Sequence, residues 1–140
     1  MAEILVADDT MDMLDLLVSV VEGSDPLHKI EKCNDGGEAL AAIKKRQEAG
    51  ETPFDGVLTD MEMPLATGVQ VALAAISSGV RASCVAIATG VALPGNNPSK
   101  DTAIDAELRR ARDAGVSLFQ KPGDFMSDRF FEFLERFSQK

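Results

Sequence analysis

Residues 4–9 read ILVADD, four apolar residues followed by two carboxylates, and this pattern decides the fold. Other short apolar runs also deliver a polar residue at their C-terminal end: FDGVLT (54–59) before Asp60, SCVAIA (83–88) before Thr89 and SLFQ (117–120) before Lys121. Short runs of Val, Ile, Leu and Phe followed by a turn or a helical pattern are typical of buried parallel strands. The carboxyl ends of such strands lie along one rim of an α/β sheet, where ligands bind. We therefore expect these polar residues to share a pocket.

Between the apolar runs, hydrophobic residues recur at helical spacing, so predicted strands and helices alternate along the chain. The predicted strands lie at about 3–8, 28–33, 54–59, 83–88 and 116–120, and the predicted helices at about 11–22, 36–49, 67–77, 102–114 and 125–138. This is an α/β chain of the (βα)5 type, a doubly wound five-stranded parallel sheet. In the flavodoxin-like strand order 2-1-3-4-5, the switch point between strands 1 and 3 brings together Asp8, Asp9 and Asp60.

Length and composition predict one soluble domain over residues 1–140, without an output domain. No apolar run approaches the ~18 residues of a membrane span. The N-terminus carries acids where a signal peptide has basic and then apolar residues, so we expect a cytoplasmic protein with no membrane partner. The net charge of -9 argues against direct nucleic-acid binding, because phosphate contacts need basic surface.

Carboxylates that meet at the switch point need a compensating interaction. Two of them ~4 Å apart repel by about 4 kcal/mol near a protein surface, so either their pKa values rise or a cation binds. An oxygen-only site with open positions for water suits Mg²⁺. The alternative is that Asp9 or Thr10 simply caps the following helix. Polar residues in register on three other strand ends favour the ligand site.

These residue types together indicate phosphoryl transfer to a carboxylate. Aspartate is a known nucleophile that forms an aspartyl phosphate. A metal and the Lys121 ammonium would neutralise phosphoryl oxygens, and the Thr89 hydroxyl could donate to the same group. Asp60 is the best candidate nucleophile, because it follows the central strand and is flanked by both cation sources.

The chain resembles the response-regulator receiver domains of two-component signalling over nearly all of its length. The matching motifs, in order, are ILVADD (4–9), VLTDMEMP (57–64) with Gly68, VAIATG (85–90) and LFQKP (118–122). Each motif alone is weak, but the set in this order along a (βα)5 chain is highly specific.

The resemblance implies a role for each residue of the acidic site. Asp60 corresponds to the phosphoacceptor. Asp9 corresponds to the direct Mg²⁺ ligand and Asp8 to the acid that acts largely through water, while the backbone carbonyl of Glu62 supplies a further ligand.

The resemblance also implies the residues that read the phosphoryl group. Thr89 corresponds to the switch hydroxyl and Lys121 to the phosphoryl-pairing base, with a cis peptide bond expected before Pro122. The family usually has an aromatic switch residue where this chain has Leu118, and the chain has no Tyr or Trp at all. The loop at 90–100 is also longer than typical; it is either a tolerated surface insertion or an element that shapes partner binding or covers the pocket.

Residues outside the pocket also carry predictions. Arg109, Arg110 and Arg112 form a basic patch on the fourth predicted helix, which is either a solvated face or, with Leu118, a partner-docking or dimer face. His28 has no catalytic or metal-type neighbours and is predicted to be a surface residue at a strand end.

The prediction is a stand-alone receiver that takes a phosphoryl group onto Asp60 from a sensor histidine kinase or a histidine phosphotransfer protein. Phosphorylation would shift the fourth-helix face towards a state that binds a downstream protein target. The protein would catalyse only its own phosphorylation and slow dephosphorylation, with Glu62 and Val91 flanking the attacking water, and is not expected to be a metabolic enzyme.

Three alternatives stay open: a receiver fragment of a hybrid kinase or multidomain regulator, a phosphorylation-independent interaction module, and an Asp-nucleophile phosphohydrolase. The last needs a DxD spacing that ADDT (7–10) lacks. The kinase, the target and the presence of a homodimer do not follow from the sequence.

Overall fold

The structure is a computed structural model that describes residues 2–90, 103–121 and 123–138. Its strands are β1 (Glu3–Ala7), β2 (Lys29–Cys33), β3 (Gly56–Asp60), β4 (Val85–Thr89) and β5 (Ser117–Gln120). Its α-helices are α1 (Met11–Ser24), α2 (Gly36–Glu48), α3 (Gly68–Ser78), α4 (Ala103–Asp113) and α5 (Asp128–Glu135).

The strands form one parallel sheet in the order β2-β1-β3-β4-β5. This confirms the predicted α/β class and the strand order. Every residue of β3 and of β4 is buried, as expected for central strands covered by helices on both faces. In β2, at one edge, only Cys33 is buried and the other residues are exposed or partly so.

Side chains alternate between two cores on opposite faces of the sheet. Leu5, Val57 and Ile87 belong to the core on the side of α2, α3 and α4. Their neighbours Val6 and Leu58 belong to the core on the side of α1 and α5. The second core holds a layer of phenylalanines in edge-on or tilted contact: Phe119, Phe125, Phe130, Phe133 and Phe137.

Two predicted element boundaries differ from the structure in ways that matter for the site. The third strand was predicted at about 54–59 but spans Gly56–Asp60, so Asp60 is the last strand residue. The last helix was predicted at about 125–138 but comprises α5 between two 3-10 turns, Gly123–Met126 and Arg136–Ser138. Ser127 starts α5 by accepting a side-chain hydrogen bond from Phe130 N–H, which explains the later beginning.

The prediction that His28 is a surface residue is wrong. His28 is only 7% exposed, and its ring packs edge-on against Phe137. Its Nδ1 accepts a hydrogen bond of 3.2 Å from the backbone N–H of Ala2. The backbone N–H of Ala2, just before β1, thus provides a hydrogen-bond donor for the buried imidazole. A backbone donor has no signature in the sequence, so this contact could not be predicted from residue types.

The predictions for the 90–100 loop, Val91 and the Lys121–Pro122 bond fall outside the described residues, apart from Gly90. Among the helices of the described ranges, none is long and apolar enough to span a bilayer.

Candidate functional site

The sheet register brings the predicted site residues to one rim. Asp60 at the end of β3 lies opposite Ala88 of β4, one residue before Thr89. Thr89 in turn lies opposite Gln120 of β5, one residue before Lys121. Asp8 follows the last residue of β1. Residues far apart in sequence therefore occupy one level of the sheet because the parallel strands end together.

Three carboxylates converge at this rim. Asp8, Asp9 and Asp60 each offer one oxygen, and these oxygens lie within 4.8 Å of one another. Asp8 is 1% exposed and Asp60 6% exposed, whereas Asp9 is exposed. The cluster is thus open on one side and buried on the other, which leaves room for solvent or a ligand at the Asp9 side.

Lys121 is the cation that faces the two buried acids. Its Nζ donates to Asp60 Oδ1 at 2.8 Å and to Asp8 Oδ2 at 3.2 Å. The Lys121 side chain is 13% exposed. These two contacts connect β1, β3 and the end of β5 through a single ammonium group, so the lysine is already placed beside the candidate phosphoacceptor.

The charge state of the cluster reflects its burial. Burial raises the pKa of Asp60 to about 6, against the opposing effect of the Lys121 hydrogen bond and with a further upward contribution from Asp8. Burial alone would lower the pKa of Lys121, but the hydrogen bond and charge of Asp60, together with Asp8, outweigh it and raise that pKa. Asp60 thus takes up a proton more readily than an exposed aspartate, chiefly because it is buried, and a cation bound beside it would favour its carboxylate form.

The backbone around Asp60 fixes the direction of its carboxylate. Asp60 Oδ1 accepts a hydrogen bond of 2.9 Å from Met61 N–H in addition to the one from Lys121. Within the described residues, Asp60 Oδ2 receives no hydrogen bond. The sequence could not reveal the Met61 contact, because the donor is a backbone group that every non-proline residue carries.

Gly68 lets α3 begin against the strand end. Its N–H donates to the carbonyl of Met61 at 2.8 Å, and a Cβ at this position would overlap the carbonyl oxygen of Asp60. Thr67 supplies the start of α3 through a capping box with Gln70. The small residue is therefore required by close backbone approach beside the carboxylate.

The sequence left open that Asp9 or Thr10 caps the following helix. Thr10 occupies the position before α1 but makes no side-chain capping hydrogen bond. Instead, Asp8 Oδ1 accepts from Thr10 N–H at 2.9 Å while its Oδ2 accepts from Lys121. Asp8 thus holds the turn and faces the cluster at once.

The remaining candidate residues lie as follows. Thr89 is 1% exposed, and its carbonyl accepts from Lys121 N–H at 2.7 Å. Glu62 has an exposed side chain in the loop after β3. Leu118 is buried in the core on the α4 side of the sheet. On α4, Arg110 and Arg112 are exposed and Arg109 is partly buried.

No family model and no curated protein matches the sequence. Solved structures do match. A response regulator receiver protein from Sinorhizobium medicae superposes with a TM-score of 0.69 at 21% identity, covering 97% of this chain and 93% of that one. A CheY-like response regulator receiver domain from Methanospirillum hungatei gives 0.65 at 20% identity, covering 100% and 99%.

The chain has the receiver-domain fold. The same fold extends to the receiver domain of a histidine kinase from Arabidopsis thaliana, with a TM-score of 0.67, 20% identity and coverage of 99% and 90%. The fold resemblance inferred from the sequence motifs is thereby confirmed. At these identities the comparison concerns the receiver fold alone, and the chemistry rests on the side chains at the rim.

Proposed function

We propose that the protein is a phosphoacceptor receiver that takes a phosphoryl group onto Asp60 from a protein phosphohistidine. The observation that carries this proposal is the cluster of three acids within 4.8 Å, with Lys121 at 2.8 Å from Asp60 and 3.2 Å from Asp8. The cluster combines a carboxylate nucleophile, a fixed cation and space for a metal on the rim where α/β sheets bind ligands.

The acids fit a hard divalent cation such as Mg²⁺. Their ligand atoms are all oxygens, and these atoms lie within 4.8 Å of one another, which suits a small cation that prefers oxygen ligands. Asp9 and Asp60 would hold the ion directly, Asp8 largely through water, and the carbonyl of Glu62 would add a ligand. When bound, Mg²⁺ supplies positive charge for the phosphoryl oxygens.

The transfer step uses Asp60 as the nucleophile. We assign the attack to Oδ2, because Oδ1 already accepts from Met61 N–H and Lys121 Nζ. An O–P bond forms as the P–N bond of the phosphohistidine breaks, and the imidazole nitrogen keeps the electron pair and takes a proton from solvent. Lys121 then exchanges a carboxylate contact for a phosphoryl oxygen, and Thr89 donates its hydroxyl to another.

The partners proposed are a sensor histidine kinase or histidine phosphotransfer protein and a downstream protein target. Phosphorylation would shift the equilibrium between conformations of the α4 face, which carries Arg109, Arg110 and Arg112 and covers the core that contains Leu118. Glu62 and Val91 would tune the phosphoryl lifetime. Single-domain organisation and a cytoplasmic location stay predictions from the sequence.

The direct test is phosphorylation with a small phosphodonor. Purified protein is incubated with Mg²⁺ and acetyl phosphate, and intact mass spectrometry follows the addition of one phosphoryl group; beryllofluoride binding is measured in parallel. Asp60→Asn should abolish the modification, whereas Asp15→Asn, at an exposed position on α1, should leave it unchanged. An unmodified wild type, or labelling that survives Asp60→Asn, contradicts the assignment.

A further inference from the structure

Among the residues that the structure describes, β5 pairs only with β4, so its outer edge has no strand neighbour in that part of the chain. Polar groups of successive residues in a strand point alternately to its two sides. Lys121 N–H points inward and donates to the carbonyl of Thr89 at 2.7 Å. Leu118 and Gln120, offset from it by odd numbers of residues, therefore present their backbone groups to the free edge.

Two side chains from the segment after β5 engage those free groups. Arg129 Nη2 donates to the carbonyl of Leu118 at 2.8 Å, and Asp124 Oδ2 accepts from Gln120 N–H at 2.7 Å. Arg129 Nη2 also lies 3.5 Å from Asp124 Oδ2, and its guanidinium stacks 4.4 Å from the centre of the Phe119 ring. We call this pair of side chains the Asp124–Arg129 brace.

We propose that Asp124 and Arg129 are positioning residues for Lys121, a proposal that rests on the phosphoacceptor function argued above. The brace holds Leu118 and Gln120, the two outward-facing residues closest before Lys121, on a strand that is paired on one side only within the described ranges. It thereby takes the place of strand pairing at these two residues and fixes the point from which the lysine side chain departs. Asp124 is itself held, since Ser127 Oγ donates to its carbonyl at 2.6 Å.

The distances at the rim explain why the lysine needs a fixed origin. Its Nζ reaches Asp60 and Asp8 at 2.8 and 3.2 Å, so a shift of roughly 1 Å takes one contact out of hydrogen-bonding range. A displacement of that order can cost up to about a hundredfold in rate. The planar guanidinium can donate to a carbonyl while stacking on a ring, which a lysine ammonium cannot reproduce in full.

The first experiment measures the brace without any phosphorylation. Metal-free protein is treated with a limiting amine-acylating reagent, and peptide mass spectrometry gives the acylation rate of Lys121 relative to the exposed Lys44. Arg129→Met and Asp124→Ala should raise that ratio at least threefold. The control is Arg136→Met, which also deletes a guanidinium that donates to a backbone carbonyl, that of Ser83.

The second experiment measures the consequence for the reaction. In the presence of Mg²⁺ and acetyl phosphate, Arg129→Met should lower the phosphorylation rate about five- to tenfold, and Arg129→Lys should recover part of it. In a Lys121→Ala background the same Arg129→Met substitution should cause no further loss, because the brace acts through the lysine. Circular dichroism melts identify any variant that fails to fold, and Arg129→Lys then carries the comparison.

The outcomes separate the two proposals. Unchanged Lys121 acylation in folded Arg129 variants overturns the positioning role, and so does an undiminished Arg129→Met effect in the Lys121→Ala background. If the wild type takes no phosphoryl group, the proposed function fails, while the acylation ratio still decides whether the brace positions Lys121.

Discussion

The negative charge of Asp60 destabilises the folded, metal-free protein, because the carboxylate is buried. The pKa of Asp60 is about 6 in the folded protein and ordinarily 3.8, so the folded protein binds the carboxyl proton more tightly than the unfolded chain does. Folding stability from this group is therefore highest below about pH 4 and declines as the pH rises through 6. Two pKa units correspond to about 3 kcal/mol, an upper value for the penalty at neutral pH.

Asp60→Asn should accordingly stabilise the metal-free protein at pH 7 by about 1–3 kcal/mol. The neutral amide keeps the shape of the carboxylate and removes the buried charge. Urea unfolding in EDTA at pH 7 and at pH 4 measures this, and the gain should disappear at pH 4, where the wild-type carboxyl is protonated. A variant less stable than the wild type at pH 7 would mean that the Lys121 ion pair outweighs burial.

His28 should give the opposite pH dependence. Burial lowers its pKa below 6.5, against the raising effect of Asp25, and its Nδ1 can accept from Ala2 N–H only while unprotonated. The unfolded chain therefore takes up the proton first, so this contribution to stability is complete above pH 6.5 and is lost as the pH falls through the lowered value.

This effect is best isolated in an Asp60→Asn background, where the opposing carboxyl titration is absent. His28→Gln, which retains an acceptor for Ala2, should remove the acid-dependent loss of stability seen below pH 6.5. Since His28 is the sole histidine of the chain, NMR follows its imidazole without overlap. A folded-state pKa at or above 6.5 would contradict the argument.

At the scale of the elements, the start of α3 is fixed by its distance from β3. Gly68→Ala should destabilise the fold by about 1–3 kcal/mol and slow phosphorylation, because the added Cβ overlaps the Asp60 carbonyl oxygen. Gly23→Ala is the matched control, because Gly23 lies in α1 and a Cβ added there would meet no atom within 4 Å. This substitution should stabilise the helix by about 0.5–1 kcal/mol. Urea unfolding and the acetyl phosphate assay measure both. Equal effects of the two substitutions would refute the close-approach argument.

The sequence predicted the bounds of the strands and of α1 to α4 within about two residues, and it was further off only for the last helix. Apolar runs bounded by polar residues place β1, β3, β4 and β5 within about two residues of their observed bounds, because burial on both faces enforces continuous hydrophobicity. The last helix was predicted too long, since Phe125 and Phe137 belong to the same core as α5 but sit in 3-10 turns. The helical spacing of core residues does not distinguish a turn of α-helix from a turn of the tighter 3-10 helix.

At the scale of the whole molecule, a divalent cation should link the three acids and stabilise the fold. Mg²⁺ at a hundredfold excess over its dissociation constant should add about 2.7 kcal/mol to the wild type. Asp9→Asn should reduce this gain, and Asp15→Asn should leave it intact. Thermal unfolding over a series of Mg²⁺ concentrations measures the effect, and a melting temperature independent of Mg²⁺ in the wild type would exclude the site.

The sequence predicted which side chains face this site but could not give their partners. Asp8, Asp60 and Lys121 follow from strand ends and a parallel sheet. The hydrogen bonds from Met61 N–H and Thr10 N–H depend on the exact turn of the backbone, and the burial of His28 depends on where Ala2 lies. Since every non-proline residue carries a backbone N–H donor, residue types cannot predict which of these donors binds a given side chain.

Helices α5 and α4 differ in how much apolar surface they bury against the sheet. The α1–α5 side interlocks five phenylalanine rings, whereas α4, over its described length, buries only Leu108 and Ala111 against the opposite face. Displacing α4 exposes little apolar surface, while displacing α5 would separate stacked rings. We therefore expect a strain introduced at the rim to move α4 more easily than α5, because α4 has less buried apolar contact to lose.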